Sequence, residues 1–144
     1  MIYLGCDHGG FALKEAIREY LQKQGVVFTD CGNTQYDSED NFPDFVAPVV
    51  KGVLTDQDNR GILICGSGIG VSIAANHYRG IRAALVHSVD YARLARQHNN
   101  ANVLCLGGRF LDVSVALTIV DTFLKTPMDP NPKYQKRMAM ACQE

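Results

Sequence analysis

Apolar positions along this chain fall into two alternating patterns. "IYLGC" (2–6) is a short continuous apolar run, stopped by polar residues. In "FALKEAIREYLQKQG" (11–25) apolar residues return at helical spacing, at Phe11, Leu13, Ile17, Tyr20 and Leu21, and Gly25 supplies a C-terminal stop. The same alternation continues with a strand in "VVFTDCG" (26–32) and a helix in "DFVAPVVKGVLTD" (44–56), with Asp44 near its start and Pro48 in its early turns. "GILIC" (61–65) is apolar at both alternating sets of positions, as expected of a parallel strand covered on both faces. A helix opens at "GVSIAANHY" (70–78), a fourth strand follows at 81–87, and Ser88 caps a helix over 88–99. A fifth strand (101–108) and a long helix (111–126) come next. "PMDPNP" (127–132) then breaks the pattern before a final, separate helix over 133–144. Strands alternating with helices predict βαβ crossovers: an α/β, Rossmann-like, doubly wound and mainly parallel five-stranded sheet with helices on both faces. No repeat or linker divides the chain, which reads as a single domain over 1–144.

Composition narrows the class of partner. The 144 residues are 47% hydrophobic and 20% charged, with a net charge of −1, so nothing in the balance points to nucleic acid. No apolar run approaches a membrane span, and "MIYLGCDHGG" lacks a charged segment before an apolar stretch. The five cysteines (Cys6, Cys31, Cys65, Cys105, Cys142) are odd in number and form no C-x-x-C pair. The reading is a cytoplasmic protein with reduced thiols.

The predicted architecture locates the chemistry, because open α/β sheets bind ligands at the carboxyl ends of their strands. Those ends carry Cys6, Asp7 and His8, then Cys65 to Gly70, then His87 and Ser88, then Gly107, Gly108 and Arg109. In "CGSGIG" (65–70) the glycines let backbone N–H groups turn toward an anion at a helix N-terminus. A phosphate-binding P-loop needs a Lys that this loop lacks. Gly66, Gly68 and Gly70 give G-x-G-x-G rather than the dinucleotide spacing, although Asp90 stands where a ribose contact would be. The oxyanion of a reaction intermediate fits better, since a thiol sits in the loop. A free thiol has a pKa of about 8.5, so half ionisation at pH 7 asks for roughly 2 kcal/mol, the order that a helix N-terminus and aimed N–H groups supply. Cys65 is therefore a candidate base or nucleophile, and the other four cysteines read as packing residues. By position alone His8 and His98 read as helix-terminal polar residues, His77 and His87 as structural, and Lys133 and Arg137 as a solvated helix face.

Four blocks in order, "GCDHGGFALKE" (5–15), "GILICGSGIGVSIAAN" (61–76), "GIRAALVHS" (80–88) and "RQHNNANVLCLGGR" (96–109), resemble the ribose-5-phosphate isomerase type B family, which includes galactose-6-phosphate isomerase subunits. The resemblance runs to Arg137. It implies a cofactor-free, metal-independent aldose–ketose isomerase that interconverts D-ribose 5-phosphate and D-ribulose 5-phosphate through a cis-enediolate. It also implies a homodimer or tetramer with shared active sites, the C-terminal helix reaching the partner subunit. Carried over, Cys65 is the base, and Val71, where some relatives place a glutamate, puts this chain with the cysteine type. Ser67 is the proton shuttle, and Gly66, Gly68 and Gly70 belong to the anion hole. His98 from the neighbouring subunit opens the furanose ring, with Asn99 beside it. Asp7 is a sugar-hydroxyl ligand, and His8, Arg109, Lys133 and Arg137 are phosphate ligands.

The chain departs from that family's pattern at three places. Lys133 and Tyr134 stand where an Arg-His pair is usual, and "MDPNP" is proline-rich rather than glycine-rich. Asn41 and Phe42 replace an Asp-Tyr pair. These changes fall where sugar length and phosphate position are sensed. An isomerase of allose, galactose or a tetrose phosphate therefore stands as an alternative, and a non-catalytic nucleotide-binding protein as a second.

Overall fold

The computed structural model describes residues 1–142, so the last two positions of the expected final helix lie outside the described residues. Five strands, β1 (Ile2–Cys6), β2 (Phe28–Asp30), β3 (Arg60–Cys65), β4 (Ala83–Leu85) and β5 (Val103–Gly107), form one sheet in the order β2-β1-β3-β5-β4. Every pairing is parallel, with Cys6 opposite Ile64 and Cys65 opposite Gly107. Six α-helices accompany the sheet among the described residues: α1 (Phe11–Lys23), α2 (Pro43–Val53), α3 (Ile69–Asn76), α4 (Val89–Asn99), α5 (Val113–Lys125) and α6 (Pro132–Ala141).

The alternating sides of the central strands face two different cores. Leu4, Ile62, Ile64, Leu104 and Leu106 pack with Leu13 and Ile17 of α1, Ala92 of α4 and Phe123 of α5. Leu63, Cys65, Val103 and Cys105 pack with Val49, Val50 and Val53 of α2 and Val71 and Ala75 of α3. The sheet is thus covered on both faces, and the helices fall on the two sides as a doubly wound fold requires.

Several element ends differ from the sequence expectation. The second strand is confined to Phe28–Asp30 and the fourth to Ala83–Leu85, because these are the sheet edges with one neighbour each. The backbone bonds from Val103 N–H to Arg82 O (3.3 Å) and from Val86 N–H to Cys105 O (3.1 Å) extend the β4 pairing at both ends. Helix α1 ends at Lys23, where Gly25 takes φ +69 and Val26 N–H reaches Leu21 O at 3.0 Å, a Schellman closure. Ser88 caps α4 as expected, its Oγ accepting from Tyr91 N–H at 3.3 Å.

One core position reads as polar in the sequence. Lys14 is fully buried on α1, and its ammonium donates to Asp30 Oδ2 and to the Asn33 carbonyl, both at 2.7 Å. Glu15 stands at 3.3 Å. The charge therefore ties α1 to the segment after β2. Lys14→Met leaves Asp30 and Asn33 without their partner, and should lower unfolding stability by about 2–3 kcal/mol in urea titration. An unchanged midpoint would refute that role.

Candidate active site

Three loops at the carboxyl ends of β1, β3 and β5 meet backbone to backbone. Asp7 caps the single 3-10 turn His8–Gly10 by accepting from Gly9 N–H at 2.9 Å. A Cβ on Gly9 would sit 2.6 Å from the Gly66 nitrogen, so only glycine lets the first loop touch the second. The third loop closes on the second through Gly108 N–H to Cys65 O (2.8 Å) and Arg109 N–H to Gly66 O (3.1 Å). The Arg109 guanidinium lies over Gly66, its Nη1 3.0 Å from where a Cβ would be.

Cys65 ends β3 and is only 5% exposed. The Gly68 N–H donates to its Sγ at 3.1 Å. This contact needs the left-handed backbone of Gly68, φ +78, which turns the chain from β3 into α3. Ser67 Oγ accepts from Ile69 N–H at 3.2 Å. Among the described residues, the N–H groups of Gly66, Ser67, Gly70 and Val71 have no bonded acceptor. Gly70 and Val71 are orphan donors of the first turn of α3, and Gly66 and Ser67 lie just before it in the loop that begins at Cys65. The Phe42 ring covers that first turn, its Cζ 2.8 Å from a Cβ position on Gly70.

The remaining thiols differ in kind. Burial pushes Cys6 up to about 12, against the lowering pull of Lys14, and burial likewise raises Cys31 and Cys105. Those three stay protonated and pack, and Cys142 is exposed.

His8 and Asp7 flank the same mouth. His8 Nδ1 lies 2.8 Å from Asp40 Oδ1, which also accepts the His8 backbone N–H at 3.0 Å. Asn33 Nδ2 donates to Asp40 Oδ2 at 3.2 Å. Burial works to raise the Asp40 carboxyl, but the bonds from His8 and Asn33 outweigh it and hold the group below its ordinary range. Sequence reasoning missed Asp40, since nothing local joins positions 32 residues apart.

The other expected site residues form a second cluster. His98 stacks on Tyr134, centroids 4.3 Å apart and planes 7° from parallel. Lys133 Nζ lies 4.9 Å and Arg137 Cζ 5.9 Å from the centre of the same ring. Asn99 is the last residue of α4. Helix α4 starts beyond the carboxyl end of β4 and returns to the amino end of β5, so His98 sits at the end of the sheet opposite Cys65. A five-residue strand separates these ends by about 16 Å. Within one chain, the structure brings Asp7, His8, Ser67, Arg109 and the glycine loop to the thiol, and leaves His98, Asn99, Lys133 and Arg137 away from it. Asp90 lies in the first turn of α4 and pairs with Arg93 at 2.8 Å.

Comparison with known proteins gives one consistent result. The Ribose/Galactose Isomerase family model matches residues 2–141. Ribose-5-phosphate isomerase B of Mycolicibacterium paratuberculosis is 44% identical over 137 residues, 95% of this chain and 86% of the relative. The crystal structure of a Thermotoga maritima ribose 5-phosphate isomerase superposes with a TM-score of 0.93 at 45% identity, over 98% of this chain and 96% of that one. Ribose-5-phosphate isomerase B from Mycoplasma genitalium, solved with bound ribulose-5-phosphate, gives a TM-score of 0.93 at 43% identity, over 98% and 93% of the two chains.

Proposed function

The chain belongs to the ribose/galactose isomerase family, and from that premise we infer that it interconverts D-ribose 5-phosphate and D-ribulose 5-phosphate. The observation that carries the reading is the thiol of Cys65, held by the Gly68 N–H at 3.1 Å within a set of unbonded N–H groups. Isomerisation removes a proton from C2 of the open-chain aldose and returns it to C1. Cys65 is the base for both transfers, through a cis-enediolate. The negative charge that develops on the substrate oxygens meets the N–H groups of Gly66, Ser67, Gly70 and Val71, and needs no reorganisation of the site at that moment. Ser67 moves the proton between the two oxygens, and Asp7 binds a sugar hydroxyl. His8 and Arg109 take the phosphate.

The second cluster completes the site in a homodimer. In this reading His98 of the partner subunit opens the furanose ring beside the partner's Asn99, and the partner's Lys133 and Arg137 reach the phosphate. The placement of these side chains away from their own Cys65 supports the arrangement. So does α6, which has no buried residue in the single chain. Arg137→Ala should raise KM for ribose 5-phosphate by about ten- to a hundredfold, the weight of a lost charge-assisted contact. Lys133→Arg should leave KM unchanged or lower it, since arginine offers the phosphate a planar fork. A loss confined to some other sugar phosphate would reassign the substrate.

The decisive assay measures isomerisation of pentose, hexose and tetrose phosphates side by side. Ribose 5-phosphate should give the highest kcat/KM. The hexose and tetrose arms matter because Phe42 brings no hydroxyl to the wall over Gly70. Preference for one of them would change the substrate and keep the chemistry, while no turnover of any sugar phosphate would end the isomerase reading.

A further inference from the structure

Asp40 comes from the segment between β2 and α2, which has no regular structure, yet its side chain is only 6% exposed. Both of its oxygens are engaged. Oδ1 accepts from the backbone N–H and from Nδ1 of His8, at 3.0 and 2.8 Å, and Oδ2 accepts from Asn33 Nδ2 at 3.2 Å. Asn33 is itself fixed, its N–H to Cys6 O at 2.9 Å and its carbonyl to the buried ammonium of Lys14 at 2.7 Å. The carboxylate is thus tied through Asn33 to β1 and α1. On another side of the imidazole, Tyr36 of the same segment meets the ring edge-on, centroids 6.4 Å apart, and Tyr36 in turn meets Phe11 at 6.2 Å. The Asp7 carboxylate lies within 4.8 Å of the His8 and Asp40 atoms. A backbone cap would need only the bond to the His8 N–H. The second bond, from the same oxygen to Nδ1, fixes the ring itself.

We propose that Asp40 is a positioning residue, which orients His8 and reserves its Nδ1–H so that Nε2 faces the substrate phosphate. An ionised carboxylate only accepts hydrogen bonds, so the ring nitrogen facing it must carry the proton. Nε2 is then the nitrogen left for a ligand. When it donates to a phosphate oxygen the ring donates at both ends, and Asp40 is the acceptor at the far one. The inference rests on the reading of His8 as a phosphate ligand.

The test is a double-mutant cycle on KM with ribose 5-phosphate, joined to a histidine tautomer measurement. Asp40→Asn keeps the shape but offers an amide that can donate to Nδ1. It should raise KM about tenfold while kcat stays within about threefold. His8→Ala should raise KM at least as far. Adding Asp40→Asn to His8→Ala should change KM no further, because a residue acting through His8 has nothing left to act on. Two-bond 1H–15N spectra at alkaline pH, where imidazoles are neutral, should show Nδ1–H for His8 in the native protein and a shift toward Nε2–H in Asp40→Asn. A KM unmoved by Asp40→Asn, or an Asp40→Asn effect that persists in full without the His8 ring, overturns the proposal while His8 keeps its role. A KM unmoved by His8→Ala overturns the phosphate reading of His8 and this inference together.

Discussion

Cys65→Ala should lose kcat by about a thousandfold or more, within the range that a positioned proton-transfer group supplies. The loss should appear in kcat and kcat/KM alike, because the role proposed for the thiol is to move a carbon-bound proton rather than to hold the ground-state sugar. Phosphate affinity should survive, as the proposed ligands His8 and Arg109 come from the other two loops. The fold should survive as well. Cys65 is buried, but the sulfur is a single atom at the margin of the α2–α3 core, and its removal costs about 1 kcal/mol of stability. Cys65→Ser is the stricter variant. A serine hydroxyl can still accept from the Gly68 N–H and so preserve the turn, yet it is a far weaker base at neutral pH. Val71 cannot take over from the first turn of α3, since a buried valine carries no proton acceptor. Steady-state kinetics on both variants, with thermal melts alongside, checks each part. Turnover near that of the native protein in either one would remove Cys65 from the chemistry.

The sheet and its helices were legible because burial on both sides leaves continuous apolar strands, and each helix repeats its apolar face. Leu63 and Ile64 are adjacent in sequence and face different cores, which is why β3 shows no alternation. The thiol loop was legible too, since glycine at Gly68 answers a local demand for positive φ. What local pattern cannot carry is a contact between distant segments. Lys14 reads as a polar position on α1, and its burial depends on Asp30 and Asn33 being delivered by the next strand. Asp40 lies in a segment with neither periodicity nor regular structure, so its hold on His8 becomes visible only when the chain has folded. The stack of Tyr134 on His98 is of the same kind, joining α6 to α4 across 36 positions of sequence. The pattern overextends β4 because its apolar flanks Ile81 and Val86 are buried, although Ile81 bonds back to Tyr78 O and Val86 keeps a single backbone bond to Cys105 O.

Mixing two inactive variants should restore activity. In the proposed dimer each site takes Cys65 from one chain and His98 from the other, so Cys65→Ala and His98→Asn damage different halves of it. A mixed dimer then holds one site with both native residues and one with neither. Random exchange of subunits at equal concentrations makes half of the dimers mixed, so activity should approach about a quarter of the native level. The expectation follows from the geometry of one chain. Helix α4 carries His98 to the amino end of β5, whereas Cys65 lies at the carboxyl end of β3, and both strands run parallel in one sheet. No side-chain rotation spans that distance of about 16 Å. Elsewhere on α4 and α6, Tyr91 is 65% and Met140 61% exposed. Native mass spectrometry should establish that mixed dimers are present before activity is read. Mixed dimers with no recovered turnover would mean that His98 plays no part at the neighbouring thiol, and the site would then have to be completed from within a single chain.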